Sequence, residues 1–202
     1  MTVDLVSFFH LLHGRVHSSK VSSVATLADL VFGALTDEQM RVRPGKRLNS
    51  LVWLVWHMAR VEDVCVNLVI VDGRQIFEDT WGRRLGVRRW DIGTGMTDEE
   101  VEAMSAAIDL PNLRGYRAAV GRRTQDVARE LPDAEWDQTV DAAIVREAAA
   151  QGAFTPASEW VARFWEGKSK GWFLYWLGVG HNYLHLGHAG WVKEMLLSKR
   201  GR

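Results

Sequence analysis

The sequence predicts an all-α protein, a four-helix bundle with a long crossover between the second and third helices and short additional helices. Three observations predict this fold class. Apolar residues recur at helical spacing over several long stretches, capping boxes and helix-breaking residues separate these stretches, and no apolar alternation is long enough to build a sheet. The length of 202 residues predicts a single domain spanning residues 1–202.

The first half of the chain contains two of the predicted helices. Apolar positions follow a helical period from Asp4 to Leu35, where Gly14 is expected to bend or split the segment. The tetrapeptide "TDEQ" at 36–39 has the form of a capping box and predicts a short helical turn. A clear second helix is predicted from Ser50 to Val71, with His57 on its apolar stripe.

The second half begins with a polar, irregular stretch from Gly73 to Leu113, which predicts a long crossover carrying a short helix. A connection of this length is uncommon unless it has structure or a task of its own, such as covering a site. A second capping box, "TDEE", lies within it at 97–100. The third helix is predicted over Leu113–Leu131, short pieces over 133–152 and 155–168, and the last long helix over about 170–199.

Composition excludes several classes of protein. Lys plus Arg and Asp plus Glu number 25 each, so the chain has no net positive field to attract nucleic acid or an anionic membrane. No apolar run reaches membrane-spanning length and the amino terminus lacks the pattern of a signal peptide, so we expect a cytoplasmic protein. The single cysteine, Cys65, rules out an internal disulfide and is expected to be a small buried apolar side chain rather than a nucleophile.

A candidate metal site lies in the stretch "GHNYLHLGHAGW" at 180–191. His181 and His185 are four residues apart on one helix face, which allows both imidazoles to bind the same ion. His57 could reach the same point if the apolar faces of the second and last helices pack together. Three imidazoles leave coordination positions open for water or substrate, as in catalytic metal sites. Zinc and nickel suit an all-nitrogen set best, with cobalt and manganese as alternatives.

The alternative is that these histidines are ordinary hydrogen-bonded core residues. For His57 considered alone that interpretation is favoured, and for the pair on the last helix the two interpretations are even. Burying all three without a partner would be costly, and this favours the metal site. His188, on the same predicted stripe, is expected to support a ligand by hydrogen bonding, with a fourth ligand or a polar residue at the bundle's end as alternatives.

Other polar residues receive weaker predictions. A structural role is expected for three histidines near the amino terminus: His10, His13 and His17. Glu62 and Asp63 are candidate general bases, but they lie off the stripe of His57 and are expected to be exposed helix carboxylates. Four arginines on the crossover either bind the carboxylates of a cofactor or form a solvated face: Arg83, Arg84, Arg88 and Arg89.

The segments "NSLVWLVWHMARVEDV" at 49–64 and "GHNYLHLGHAGW" at 180–191 resemble the DinB-like superfamily. Its helical bundles carry one histidine on the second helix and a His-x-x-x-His motif on the last. The resemblance extends in order from about Leu35 to Leu197. It implies a bundle of up-up-down-down topology, often dimeric, in which His57, His181 and His185 bind a divalent metal. His188 stands where the family usually has Gln or Glu.

The resemblance also implies a range of functions. Characterised relatives include S-transferases and isomerases that use mycothiol or bacillithiol. We therefore expect a metal-dependent enzyme, either a low-molecular-weight thiol S-transferase acting on small electrophiles or a hydrolase with a metal-activated water. The alternative is a non-catalytic metal- or ligand-binding bundle involved in a stress response. The expected partners are a small-molecule substrate or thiol cofactor and a second copy of the chain, with no nucleic acid and no membrane.

Overall fold

The computed structural model describes residues 4–87 and 89–198, apart from the side chain at position 79. Within these ranges all regular secondary structure is helical, and a single isolated bridge joins Thr139 and Ser169. The α-helices are α1 (Leu5–Val16), α2 (Ser19–Ser22), α3 (Leu27–Phe32), α4 (Asp37–Arg41), α5 (Leu51–Asp63), α6 (Glu78–Leu85), α7 (Asp98–Ala107), α8 (Leu110–Glu130), α9 (Ala142–Ala150), α10 (Glu159–Trp165), α11 (Lys170–Trp172) and α12 (His181–Ser198). Two π-helical segments, π1 (Val64–Ile70) and π2 (Phe173–Gly180), and two 3₁₀ turns, Asp133–Glu135 and Pro156–Ser158, complete the helical elements.

Helix α5 is the central element, because every one of its residues is buried. The Oγ of Ser50 accepts a hydrogen bond from the Trp53 amide at 3.0 Å and so starts the helix. The helix continues without a break into π1, where the amide of Val71 bonds the carbonyl of Val66, five residues back. Together the two segments confirm the helix predicted over 50–71.

The long helical elements pack directly against one another around α5. Helix α5 contacts α8 and α12, and π1 contacts π2 and α9. Helix α1 packs against α8 and π2. This arrangement brings the middle of α5 next to the beginning of α12.

The first helical stretch is split, as expected, but not at Gly14. Three helices, α1 to α3, occupy it, and α1 ends at Val16 rather than bending at Gly14. Ser23 adopts a left-handed conformation with φ 62°, which ends α2. Both predicted capping boxes are confirmed, at Thr36 before α4 and at Thr97 before α7.

The crossover carries two helices, α6 and α7, instead of the one predicted, and it is anchored on α5 by Asp63. The buried carboxylate of Asp63 accepts five hydrogen bonds, at 2.6 to 3.2 Å, from the Arg60 guanidinium, the Tyr116 hydroxyl, the Asn67 amide and the backbone amides of Ile76 and Phe77. Glu62 is also completely buried. The expectation that these two carboxylates are exposed is therefore wrong, because α5 has no solvent-facing side.

None of the helices in the described ranges is both long enough and apolar enough to cross a membrane.

Candidate metal centre

Three histidines from two helices converge at the start of α12. One ring nitrogen from each of His57, His181 and His185 lies within 4.8 Å of the other two. The Nε2 atoms of His181 and His185 are 3.0 Å apart. Nitrogen ligands about 2.0–2.1 Å from a shared ion in tetrahedral or octahedral geometry are separated by roughly 2.9–3.4 Å. The arrangement therefore has the size of a metal site.

His57 is held in the orientation that a ligand requires. Its Nδ1 donates a hydrogen bond to the carbonyl oxygen of Ile92 at 2.5 Å. Because a carbonyl only accepts, this bond places the proton on Nδ1 and leaves the Nε2 lone pair free for an ion. The ring of Trp53 stacks on the imidazole with a centroid separation of 4.5 Å. Backbone and ring together fix the tautomer and the direction of His57.

The electrostatic surroundings keep all three imidazoles neutral. Burial lowers the pKa of His57 to about 4. Burial, together with repulsion from His57 and His188, lowers the pKa of His185 to about 3. Burial and the two neighbouring imidazoles hold the pKa of His181 well below its usual value. At neutral pH the lone pairs are therefore available to a cation, and protons compete for them only in acid.

The carbonyl that orients His57 is positioned by a close approach of backbone to α5. Gly93 follows Ile92 with φ +80°, a region that side chains disfavour, and a Cβ there would lie 2.3 Å from the ring of Trp56. On the other side, the amide of Ile92 bonds the carbonyl of Ala153 at 3.0 Å. The absence of a side chain at Gly93 thus lets Ile92 reach His57.

We expect Gly93→Ala to weaken zinc binding about tenfold, since displacing a hydrogen-bond partner behind a metal ligand typically has this effect. Gly152→Ala is the matched control. Gly152 also has positive φ, at +84°, but a Cβ there would meet nothing within 4 Å. Zinc titration of both variants measures the difference. Equal zinc affinities would show that the approach of Ile92 does not support the site.

The three histidines face a cavity of about 500 Å³. Its wall is largely aromatic and includes Trp53, Trp160, Phe164, Trp165 and Trp176. None of the described residues that line it is Asp, Glu, Lys or Arg. His181 and His185 remain partly accessible, so a small molecule entering the cavity can reach the open side of the site.

His188 does not face the core as predicted. Its side chain is exposed, and its ring lies edge-on to that of His185 with centroids 5.4 Å apart. It lines a separate cavity together with Trp191 and Met195. His188 is thus a neighbour of one ligand on the outer side of α12, and its supporting role stays a prediction.

The crossover arginines with described structure lie away from the histidine cavity. Arg83 lines a different cavity, and Arg84 lies over the ring of Trp81. Arg89 pairs with Asp91 at 2.8 Å and Glu100 at 2.9 Å. Arg88 lies outside the described residues. None of the three described arginines is among the residues that line the histidine cavity.

Sequence reasoning missed a second polar cluster, formed by His13, His17 and Glu62. All three side chains are completely buried. The carboxylate accepts hydrogen bonds from His13 at 2.8 Å and from His17 at 2.9 Å, and Asn182 on α12 donates to it at 3.1 Å. The three residues also form a group that could hold an ion. The signal was available, because His13 and His17 have the same four-residue spacing as His181 and His185.

The pKa shifts in this second cluster favour an uncharged His17 and an ionised Glu62. Burial lowers the pKa of His17 to about 4. Burial alone would raise the pKa of Glu62, but the contacts with His17 and His13 outweigh it and hold that pKa well below its usual value. His10 lies apart, with its Nε2 bonded to the carbonyl of Gln125 at 2.9 Å. The structural role expected for these histidines is thus a hydrogen-bonded one, in which His13 and His17 bond Glu62 on α5 and His10 bonds α8.

The chain resembles known proteins both in sequence and in fold. Residues 23–189 fit the sequence pattern of the DinB superfamily. The crystal structure of a conserved protein from Enterococcus faecalis has the same fold, with a TM-score of 0.64, 13% identity, and coverage of 98% of this chain and 99% of that one. No curated protein matches the chain.

Proposed function

The chain belongs to the DinB superfamily, and from this premise we propose that it binds one divalent metal ion through His57, His181 and His185 and uses it for thiol chemistry. The observation that carries the proposal is the convergence of three neutral imidazoles on the aromatic cavity. Zinc and nickel are the proposed ions, because both accept a shell of nitrogen ligands with further positions left open.

The proposed reaction is the transfer of a low-molecular-weight thiol, of the mycothiol or bacillithiol type, to a small electrophile. A divalent ion held by His57, His181 and His185 would supply Lewis acidity, which would lower the pKa of a bound thiol. The thiol sulfur forms a bond to the electrophilic carbon, the leaving group departs from that carbon, and the thiol proton passes to solvent. The carbonyl of Ile92 and the ring of Trp53 fix the orientation of the His57 imidazole. The aromatic wall shields the electrophile from water.

We also propose that the long elements form an up-up-down-down four-helix bundle. The four helices are α1, α5 with π1, α8, and π2 with α12, and their pairwise packing supports this topology. In such a bundle the site lies between the second and fourth helices, where ligands from facing helices meet.

The second candidate function is metal or ligand binding without turnover. It is supported by the cavity wall, in which the described residues offer no carboxylate as a general base. A bundle that only sequesters an ion or a small ligand would need none.

Measuring thiol consumption tests the proposed reaction. With mycothiol, bacillithiol or glutathione and the electrophile 1-chloro-2,4-dinitrobenzene, we expect the zinc- or nickel-loaded protein to form thioether at least about tenfold faster than the His57→Ala variant treated identically. Chelation of the metal should remove the difference. Equal rates for the loaded protein and the variant would reject the transferase and leave the binding function, which metal content decides separately.

A further inference from the structure

The residues that line the cavity beside the three histidines favour aromatic ligands. Four tryptophans and Phe164 line it, together with apolar side chains such as Ile92 and Met96. Aromatic rings bury a large apolar area and favour edge-to-face or offset contacts with other rings. The volume of about 500 Å³ is ample for a molecule of one or two rings.

Among the residues that the structure describes, the same wall has no Asp, Glu, Lys or Arg. Apart from the three histidines, the polar side chains that line it are those of Asn49 and Thr94, both uncharged at neutral pH. The ammonium of Lys168 lies over the rings of Phe164 and Trp172, but Lys168 is not among the described residues that line the cavity. An anionic substituent among the tryptophan rings, away from the proposed ion, would lose hydration without meeting a positively charged side chain of the described lining, which is unfavourable.

Two of the wall tryptophans lie at the mouth of the cavity. The side chains of Trp160 on α10 and Trp176 on π2 are 55% and 46% exposed, although both belong to the lining. Large exposed rings beside a metal-type site are typical of surfaces that become buried only when a ligand binds. A ring entering from solvent would meet these two side chains and then Trp53, which stacks on His57.

We propose that the ligand of this cavity is an uncharged aromatic molecule whose ring lies among Trp53, Trp160 and Trp176 and whose single polar atom faces the three histidines. The inference rests on the proposed function, since the polar atom is directed at the proposed ion. It adds the substrate class, and it excludes ligands that carry a carboxylate or sulfonate on the ring.

Calorimetric titration of the zinc-loaded protein with three thiols tests the proposal. The probes are benzyl mercaptan, 4-(mercaptomethyl)benzoate, which adds one carboxylate to the same ring, and 2-mercaptoethanol, which has no ring. We expect benzyl mercaptan to bind at least about tenfold more tightly than either of the others, because only it combines a ring with an uncharged remainder. Equal or tighter binding of the carboxylate or of the ringless thiol would overturn the proposal.

Substitution of single tryptophans tests where the ring of the ligand binds. The Trp176→Ala variant is expected to bind benzyl mercaptan roughly three- to tenfold more weakly, which is the effect of losing one ring contact. Trp90→Ala is the control, because Trp90 is a similarly exposed tryptophan, 40% accessible, that lies outside the cavity. If both variants bind as the unaltered protein does, the ring does not lie where we place it.

A probe that needs no metal separates this inference from the proposed function. N-phenyl-1-naphthylamine is uncharged and brightens in apolar sites, whereas 1-anilinonaphthalene-8-sulfonate has the same rings and one negative charge. On the metal-free protein we expect the uncharged probe to bind more tightly, and Trp176→Ala to reduce its binding. If zinc fails to bind, the proposed function is rejected while this titration still decides the cavity. If zinc binds and the two probes behave alike, the cavity proposal alone is wrong.

Discussion

Replacing Asp63 by alanine is expected to lower the free energy of unfolding by about 3–5 kcal/mol, the usual effect of removing one partner of a buried ion pair. The variant leaves the Arg60 guanidinium buried without its counter-charge and removes the acceptor of four further donors. Two of these donors belong to the start of the crossover, so the segment before α6 loses its attachment to α5. Urea denaturation followed by circular dichroism measures the effect.

Asp126→Ala is the matched control for this variant. Asp126 is a half-exposed carboxylate whose ion pair is with Arg129, three residues away on the surface of α8. Its loss should change the free energy of unfolding by less than about 0.5–1 kcal/mol. A similar small change for Asp63→Ala would mean that the buried network does not hold the crossover in place.

The second large effect concerns metal content. We expect purified protein without a polyhistidine tag to carry close to one zinc or nickel ion per chain by plasma mass spectrometry, and the His57→Ala variant to carry almost none. Loss of one of three ligands removes a third of the nitrogen shell, and the two imidazoles left on α12 bind weakly alone. His10→Ala should retain the ion, because His10 lies outside the cluster.

Protein purified without metal is tested by reloading. At a zinc concentration 100 times the dissociation constant, binding to the folded state adds about 2.7 kcal/mol of stability, which raises the melting temperature. No binding and no rise in melting temperature would identify the histidines as core residues. Two ions per chain, one of them lost in His17→Ala, would instead assign an ion to the buried cluster at Glu62 and contradict a single site.

The spacing of apolar residues was sufficient to predict the long helices that form the core. The helix over 50–71 was predictable because apolar residues recur at helical spacing after a capping serine and the stretch contains neither glycine nor proline. The same periodicity could not place Glu62 and Asp63. Assigning them to an exposed face assumes that the helix has such a face, whereas α5 is covered on all sides by other elements.

The convergence of the three histidines was predictable in part. Four-residue spacing places His181 and His185 on one side of a helix, and an apolar neighbourhood places His57 in the core. Two features depended on tertiary packing. His188 is rotated onto the exposed side of α12, and His17 meets Glu62 only because α1 packs against α8 and π2, a contact between residues 45 positions apart.

The π-helical segment before α12 carries part of the cavity wall, whereas two of the candidate metal ligands lie on α12 itself. The amide of His181 bonds the carbonyl of Trp176, five residues back, and both side chains line the cavity. Trp176 and Leu177 on π2 line the cavity, whereas His181 and His185 follow on α12, so a substitution at either wall position leaves the spacing of the two histidines unchanged. A single genetic event can therefore change which molecules the cavity admits without touching a ligand, a simple route by which related proteins can diverge in substrate.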